Sequence, residues 1–149
     1  MGMRILIVDG HSIIFAWPEM RTQHARKNIA AREALIKLLT GYQDFTGIHV
    51  AVVFDGQGGK VSEETEPGGI QVFYSGSGET ADDVIERMVA KYGKEHEITV
   101  ATDDLLEQQT VITFGAQCVS AEGLKALIEE TNADLKRALK TRKKHRGDL

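Results

Sequence analysis

The chain has 149 residues, of which 42% are hydrophobic and 27% charged, and its formal net charge at pH 7 is -4. This length supports one sizeable core and excludes two domains of ordinary size, so we expect a single domain over residues 1–149. Residues 1–134 hold 21 acidic and 11 basic side chains, whereas residues 135–149 hold 1 acidic and 7 basic. An acidic body excludes a protein that coats nucleic acid by charge alone.

The first residues show no targeting pattern. A strand-like run begins at Arg4, without the basic flank, long apolar region and small-residue cleavage site of a signal peptide. No later apolar run approaches the roughly 18 residues that a membrane span needs. These features predict a cytoplasmic protein without a membrane partner.

Apolar, β-branched runs alternate with segments of helical periodicity along the chain. The runs are continuous, as expected of strands covered on both faces, and span residues 5–8, 48–54, 70–74, 98–101 and, more weakly, 117–119. Helical patterns lie between them, and residues 56–69, rich in Gly and Glu, read as a surface loop. This alternation predicts an α/β fold of three layers, with a central, mainly parallel sheet of four to five strands flanked by helices.

Four helices are predicted from capping residues and apolar spacing. Asn28 caps the first, which ends within residues 41–47; Thr80, with Asp83 as its capping-box partner, opens the second, which ends at Gly93; residues 104–113 form a third; and Ser120 opens the fourth. The apolar residues expected to form the buried faces of the first and last helices are Ile29, Ala30, Ala34, Leu35, Leu38 and Leu39, and Leu124, Leu127, Ile128, Leu135 and Leu139.

Carboxylates follow the predicted strands at the point where each strand ends. Asp9, Asp55 and Asp103 come directly after three of them, and Asp82 lies in the first turn of the helix that follows a fourth. One Asp after a strand is more often a turn former or helix cap. The carboxyl ends of parallel strands share one edge, however, and four segments bring acids to it.

Clustered carboxylates repel one another unless a cation compensates them. Oxygen ligands without Cys or His indicate a hard ion, Mg²⁺ or Mn²⁺. The chemistry that such a site performs is phosphodiester hydrolysis, in which the ion activates the attacking water.

Two other motifs are weaker. The segment GSGETA at residues 76–81 matches a dinucleotide fingerprint, but its acidic residues would repel a pyrophosphate at that helix start. A haloacid-dehalogenase-like phosphatase normally has a second Asp two residues after its nucleophile, where this chain has His11. His11 itself is either a loop residue or a metal ligand or proton donor beside Asp9.

Five segments together resemble the YacP-like branch of the NYN domains, which belong to the PIN-like nucleases. Their order along nearly the whole chain is more specific than any one of them. The segments are ILIVDG at 5–10, WPE at 17–19, VVFDG at 52–56, ETADDVIE at 79–86 and VATDDLLEQ at 100–108.

This resemblance implies a PIN-like fold and a metal-dependent endoribonuclease that acts in messenger RNA decay, with mRNA and the ribosome as partners. Asp9, Asp82 and Asp103 match the family's catalytic carboxylates, and Asp55 is a further metal ligand beside them. The predicted substrate-binding residues are Ser12, Gln108 and three cations placed in a loop before the first long helix, Arg21, Arg26 and Lys27.

One departure from the family keeps an alternative open. The family's first strand is usually followed by Asp-Gly-Tyr-Asn, and His11 and Ser12 replace the last two residues here. The alternative is a PIN-like module with weakened cleavage that binds RNA or the ribosome through its basic tail. The cations of that tail, Lys136, Arg137, Lys140, Lys143 and Lys144, form either a solvated helix face or a contact with RNA phosphates.

Overall fold

The computed structural model describes residues 2–26, 28–56, 62–65 and 69–145. Within these ranges the chain forms six strands and six helices. The strands are β1 (Arg4–Asp9), β2 (His49–Phe54), β3 (Ser62–Thr65), β4 (Gln71–Tyr74), β5 (Glu97–Ala101) and β6 (Gln117–Val119). The helices are α1 (Gly10–Ala16), α2 (Pro18–Arg26), α3 (Asn28–Thr46), α4 (Ala81–Tyr92), α5 (Leu105–Thr113) and α6 (Ala121–His145).

The strands form one sheet in the order β3-β4-β2-β1-β5-β6. Five of them, from β4 to β6 in that order, are parallel, so their carboxyl ends lie at the same edge. The predicted α/β sheet and its five strands are thereby confirmed. The sequence of β1 and β2 explains their central place, since unbroken apolar runs suit strands covered on both faces.

Helices cover both faces of the sheet, which gives the three predicted layers. On one face, α1, α2, α3 and α6 enclose a core around Leu6, Val52 and Phe54. On the other face, α4 and α5 pack on Ile7 and Val100 in a second core. Alternate residues of β1 therefore contribute to different cores, as the period of a strand requires.

The segment between β1 and the first long helix is helical, and the prediction of a loop there was wrong. The Asp9 carboxylate caps α1, and Pro18 occupies the first position of α2, where an amide proton would have no acceptor within the helix. Trp17, at the corner between them, is 4% exposed and donates its Nε1 proton to the Ala121 carbonyl oxygen at 2.9 Å. With 7 and 9 residues, α1 and α2 are too short to show a helical repeat of apolar residues in the sequence.

The predicted loop at residues 56–69 was wrong in one part, because Ser62–Thr65 forms β3, antiparallel to β4. An edge strand pairs through its main chain and needs no apolar pattern, which is why a polar sequence concealed it. Residues 57–61 and 66–68 lie outside the described ranges.

The predicted caps of α4 are confirmed, whereas Asn28 is the first residue of α3 itself, and the predicted buried faces of the first and last long helices are corrected. Thr80 and Asp83 form the capping box of α4, and Gly93 ends it. In α3 the buried residues are Ala31, Leu35, Leu39 and Tyr42, while Ile29 and Leu38 are exposed. In α6 only Leu124 and Ile128 of the predicted face are buried, whereas Leu127, Leu135 and Leu139 are exposed.

Those corrections share one cause. Only residues that face the sheet lose their contact with water, and an apolar residue elsewhere on a long helix stays exposed. None of the helices within the described ranges combines the length and apolarity that crossing a membrane requires.

Candidate metal centre

Three carboxylates from separate parts of the chain meet at the carboxyl edge of the sheet. One oxygen from each of Asp9, Asp82 and Glu107 lies within 4.8 Å of the oxygens contributed by the other two. Asp9 is 5% exposed and Glu107 1%, whereas Asp82 is half-buried. Two of the three residues were predicted from the sequence, and Glu107 was not.

Strand and helix ends position Asp9 and Glu107. Asp9 is the last residue of β1, and its Oδ1 accepts a hydrogen bond from the Ser12 amide at 3.4 Å. Glu107 lies in the first turn of α5, where Oδ1 of Asp104 accepts from the Leu106 and Glu107 amides at 2.9 and 3.2 Å. Both acids are therefore held by the same contacts that start the helices.

The first turn of α4 brings Asp82 to the group. The Thr80 hydroxyl accepts from the Asp83 amide at 3.3 Å, and the Asp83 carboxylate accepts from the Thr80 amide at 3.0 Å. The next amide, that of Ala81, donates to Oδ1 of Asp55 at 2.7 Å. This last bond ties the start of α4 to the end of β2.

The two oxygens of Glu107 have different surroundings. Oε2 accepts a hydrogen bond from the Thr102 hydroxyl at 2.9 Å, and that hydroxyl accepts in turn from the Asp104 amide at 3.1 Å. Oε1 is buried and has no hydrogen-bond partner among the residues that the structure describes. A buried polar atom left without a partner costs about 1–3 kcal/mol, and either a proton on Glu107 or a bound cation would remove that cost.

Burial and mutual repulsion raise the pKa values of two of these acids. Burial, followed by hydrogen bonding to Asp9 and the charge of Asp9, raises the pKa of Glu107 from 4.5 to about 10. Burial also raises the pKa of Asp82 from 3.8 to about 6, against the opposing effect of its hydrogen bond with Glu107. Ionising both Asp82 and Glu107 beside Asp9 therefore needs a compensating positive charge.

These residues fit a divalent cation. The donors are carboxylate oxygens from three segments, and one of these residues, Glu107, also has the unpartnered Oε1. Oxygen donors suit the hard ions Mg²⁺ and Mn²⁺. Asp9, Asp82 and Glu107 are the residues that would hold the ion.

Asp103, predicted as a third ligand, is not brought into this group. Its Oδ1 accepts a hydrogen bond from the Ala121 amide at 2.8 Å, at the start of α6, and its own amide donates to the Ser12 hydroxyl at 2.8 Å. Asp103 is exposed. Its metal-binding role stays a prediction, as does the substrate-binding role of Ser12.

Asp55 likewise lies beside the group and outside it. Besides accepting from the Ala81 amide, its carboxylate lies 3.3 Å from Nδ1 of His11, which packs against the edge of the Phe54 ring. The contacts of Asp55 fix the start of α4 next to Asp82. Its role as a further metal ligand is untested.

The other predicted substrate-binding residues are spread out. Gln108 is half-buried and donates its Nε2 proton to the Thr102 carbonyl oxygen at 2.7 Å. Arg21 is exposed on α2, and Arg26 is the last residue of that helix. Lys27 lies outside the described residues, so the three cations are not shown to form one surface.

Glu107 was recognisable from the sequence, but it does not directly follow a strand and so did not belong to the pattern of acids at strand ends. It lies three residues after Asp104, the position at which an acid is usually interpreted as part of a helix cap. It also lies four residues before Val111, which is fully buried, so both residues share the inner face of α5. An acid on an apolar helix face is a candidate functional residue because burying it is costly.

A family model described as the YacP-like NYN domain matches residues 6–149. The chain belongs to the YacP-like NYN domain family. The YacP protein of Bacillus subtilis (strain 168) is 34% identical over 140 residues, which cover 93% of this chain and 82% of that protein. The resemblance inferred from the five sequence segments is thereby confirmed.

Solved structures of this family share the fold. The crystal structure of Rae1 (YacP) from Bacillus subtilis matches with a TM-score of 0.80 at 32% identity, covering 97% of this chain and 84% of that one. A single-residue mutant of the same protein matches with a TM-score of 0.82 at 31% identity, covering 95% and 85%. The parallel sheet and its flanking helices are therefore the YacP architecture.

Without divalent cations, the stability of this protein should fall as pH rises. Asp82 and Glu107 have higher pKa values in the folded than in the unfolded chain, so the folded state binds more protons once pH exceeds about 4. Their contribution is complete below that pH and is lost as pH rises through about 6 for Asp82 and towards about 10 for Glu107. Urea unfolding in chelator across this range measures the effect.

The matched control is Glu107→Gln, which keeps the size of the side chain and removes its ionisation. The difference in free energy of unfolding between this variant and the unmodified chain should grow in favour of the variant as pH rises. A difference that does not change with pH would contradict the raised pKa of Glu107.

Proposed function

We propose that this protein is a metal-dependent endoribonuclease that hydrolyses RNA phosphodiester bonds. The observation that carries the proposal is the group of Asp9, Asp82 and Glu107, with its unpartnered Glu107 oxygen, at the carboxyl edge of the sheet. Membership of the NYN family and the location of the site where open α/β sheets bind ligands support it.

The protein's own residues perform distinct tasks in this proposal. A bound Mg²⁺ or Mn²⁺ would lower the pKa of the attacking water and would stabilise negative charge on the phosphoryl oxygens. Asp9 and Glu107 are buried and fixed by helix starts and by Thr102, so they define where the cation lies. Asp82 is the most exposed of the three, so it would hold the ion on the side of the site that is open to solvent.

Asp55 and Asp103 enter the proposal as positioning residues. Each carboxylate accepts a hydrogen bond from the first amide of a helix, α4 for Asp55 and α6 for Asp103. Helix starts favour negative charge, so this role alone accounts for an acid at both positions. Removing either should shift a helix start without removing a ligand of the ion.

Messenger RNA is the substrate that we propose within this class, with the ribosome as a partner. The resemblance to the YacP-like NYN domains motivates both, and the basic second half of α6 offers a place for contact. Its cations Lys136, Lys140 and Lys143 are exposed along the helix. The competing function is an RNA- or ribosome-binding module with weakened cleavage. It is favoured by His11 and Ser12, which replace the family's Tyr and Asn, and the Ser12 hydroxyl accepts from the Asp103 amide at 2.8 Å.

Asp82→Asn and Glu107→Gln should each reduce Mn²⁺-dependent cleavage of single-stranded RNA by about two orders of magnitude or more, because the cation's position sets the attacking water. Both variants should fold, since each replaces an acid that already tends to hold a proton. Initial cleavage rates under limiting Mn²⁺, with thermal unfolding as the folding control, measure this.

Asp103→Asn is the matched variant for that experiment. An amide oxygen can still accept from the Ala121 amide, so this change should reduce cleavage far less than the other two. Equal losses for all three would place Asp103 among the ligands, and wild-type rates for Asp82→Asn would remove the carboxylate group from the mechanism.

If the basic half of α6 contacts RNA or the ribosome, replacing Lys136, Lys140, Lys143 and Lys144 with Gln should weaken binding and flatten its dependence on salt. Each lost phosphate contact lowers the slope of log K against log salt by about 0.7 on a single strand. Cleavage of saturating RNA should change little. Equal affinity and equal slope would identify these lysines as a solvated helix face.

A further inference from the structure

We propose that Arg32 is a phosphate-binding residue that contacts the RNA backbone next to the bond cut at the carboxylate group. This inference rests on the proposed function, because it assigns part of the substrate to a residue outside the metal site. It concerns the end of α3 nearest the carboxyl edge of the sheet.

Two aromatic rings and one carbonyl oxygen fix the Arg32 guanidinium. Its carbon lies 5.1 Å from the centre of the Phe54 ring and 5.5 Å from that of Tyr74. Its Nη2 donates to the Asp55 carbonyl oxygen at 3.2 Å. A guanidinium held on ring faces keeps its charge and loses little further freedom when it binds an anion.

The charge of Arg32 has no carboxylate partner among the described residues. Three other cations of the described ranges have one, since Arg87 pairs with Glu79, Lys125 with Glu19 at 3.4 Å, and Arg137 with Asp134. The exposed cations Arg4 and Arg21 have none either in these ranges, so Arg32 differs from them in being held on two aromatic rings. The single hydrogen bond from Nη2 leaves most of the five N–H groups of the guanidinium for another acceptor.

A purely structural role explains Arg32 poorly. Its Nε is buried and has no hydrogen-bond partner within the described part of the chain. A buried donor without a partner costs about 1–3 kcal/mol, and an apolar side chain would pack on the same two rings without that cost. Packing on the two rings therefore requires neither the unpartnered Nε nor the positive charge of Arg32.

Two sets of contacts bring this charge next to the carboxylates. Asp55, whose carbonyl oxygen binds Arg32, also binds the Ala81 amide, and Ala81 directly precedes Asp82. The Phe54 ring, which Arg32 contacts, also packs so closely on Gly10, the first residue of α1, that an added Cβ there would lie 2.3 Å from the ring. Arg32 is therefore linked through Asp55 to the residue before Asp82 and through Phe54 to the residue after Asp9.

The acidic body of the protein gives this cation a specific task. An RNA strand that approaches the carboxylate group would meet negative charge, and a cation held by Asp9, Asp82 and Glu107 would supply positive charge only at that group. The planar fork of an Arg matches the oxygens of a second phosphate, with two parallel hydrogen bonds. Arg32 thereby fixes the strand and leaves the ion to the scissile bond.

The test measures binding of a short fluorescent single-stranded RNA to the full chain, by anisotropy in chelator over a series of salt concentrations. Arg32→Gln should weaken binding about tenfold, as the loss of a charge-assisted contact does, and should lower the salt slope by about 0.7. Arg32→Lys should retain the salt slope, because the charge remains. It should weaken binding about threefold, because an ammonium group cannot make the two parallel hydrogen bonds of a guanidinium.

Arg4→Gln is the matched control, since it removes the same charge from the first residue of β1, at the opposite edge of the sheet. Its affinity and slope should equal those of the unmodified chain. An unchanged affinity and slope for Arg32→Gln, or an equal loss for Arg4→Gln, would overturn the assignment. If thermal unfolding shows that Arg32→Gln does not fold, Arg32→Lys decides, and an unchanged affinity for it overturns the proposal.

Cleavage of the same RNA in Mn²⁺ separates this proposal from the nuclease activity. Cleavage by the unmodified chain together with unaltered binding by Arg32→Gln rejects the Arg32 subsite and leaves the nuclease in place. Binding that depends on Arg32 without any cleavage rejects the nuclease and keeps the subsite. Where both hold, Arg32→Gln raises KM more than it lowers kcat.

Discussion

Repulsion among Asp9, Asp82 and Glu107 is the constraint on which the rest of this site depends. Two unit charges about 4 Å apart repel by about 4 kcal/mol at an effective dielectric constant of about 20. A domain whose whole stability is about 5–15 kcal/mol cannot hold three ionised carboxylates at such distances without compensation. In the free protein the raised pKa of Glu107, about 10, keeps that carboxyl protonated at neutral pH, and a bound divalent cation would compensate the group when all three acids ionise.

The surrounding structure keeps these acids together despite that repulsion. Parallel strands bring their carboxyl ends to one edge, and the helices that follow begin there, so helix caps become part of the site. Asp55 and Asp103 anchor α4 and α6 by accepting from their first amides. Acids at this edge thus have two tasks: some form the centre, and others fix the helices that position it.

Much of this architecture was predictable because the physical signals are local. Continuous apolar runs gave the five parallel strands, and the Thr80–Asp83 pair and Gly93 gave the limits of α4. The helices α1 and α2 were missed because they are too short to show a helical repeat of apolar residues, and β3 was missed because an edge strand pairs through its main chain. The position of Asp9 and Asp82 at the carboxyl edge was predicted correctly from the sequence, since topology alone brings them there.

Which acids meet could not be predicted in the same way. An acid that follows a strand can point towards the centre or towards a neighbouring helix start, and that choice depends on side-chain direction rather than on position. Asp103 turns to Ala121, whereas Glu107, one turn into α5, points inwards on the face that also buries Val111. The unpartnered nitrogen of Arg32 is equally invisible in sequence, because it results from the packing of α3 on Phe54 and Tyr74.

The central claim is that Asp9, Asp82 and Glu107 form a cation site. Anomalous diffraction from crystals soaked in Mn²⁺ tests it most directly, because it locates the ion without reference to activity. The account predicts a peak within coordination distance of one oxygen from each of the three carboxylates, and its loss in Glu107→Gln crystals. A strong peak bound by Asp55 or Asp103 alone, or no ordered peak at the sheet edge, would contradict it.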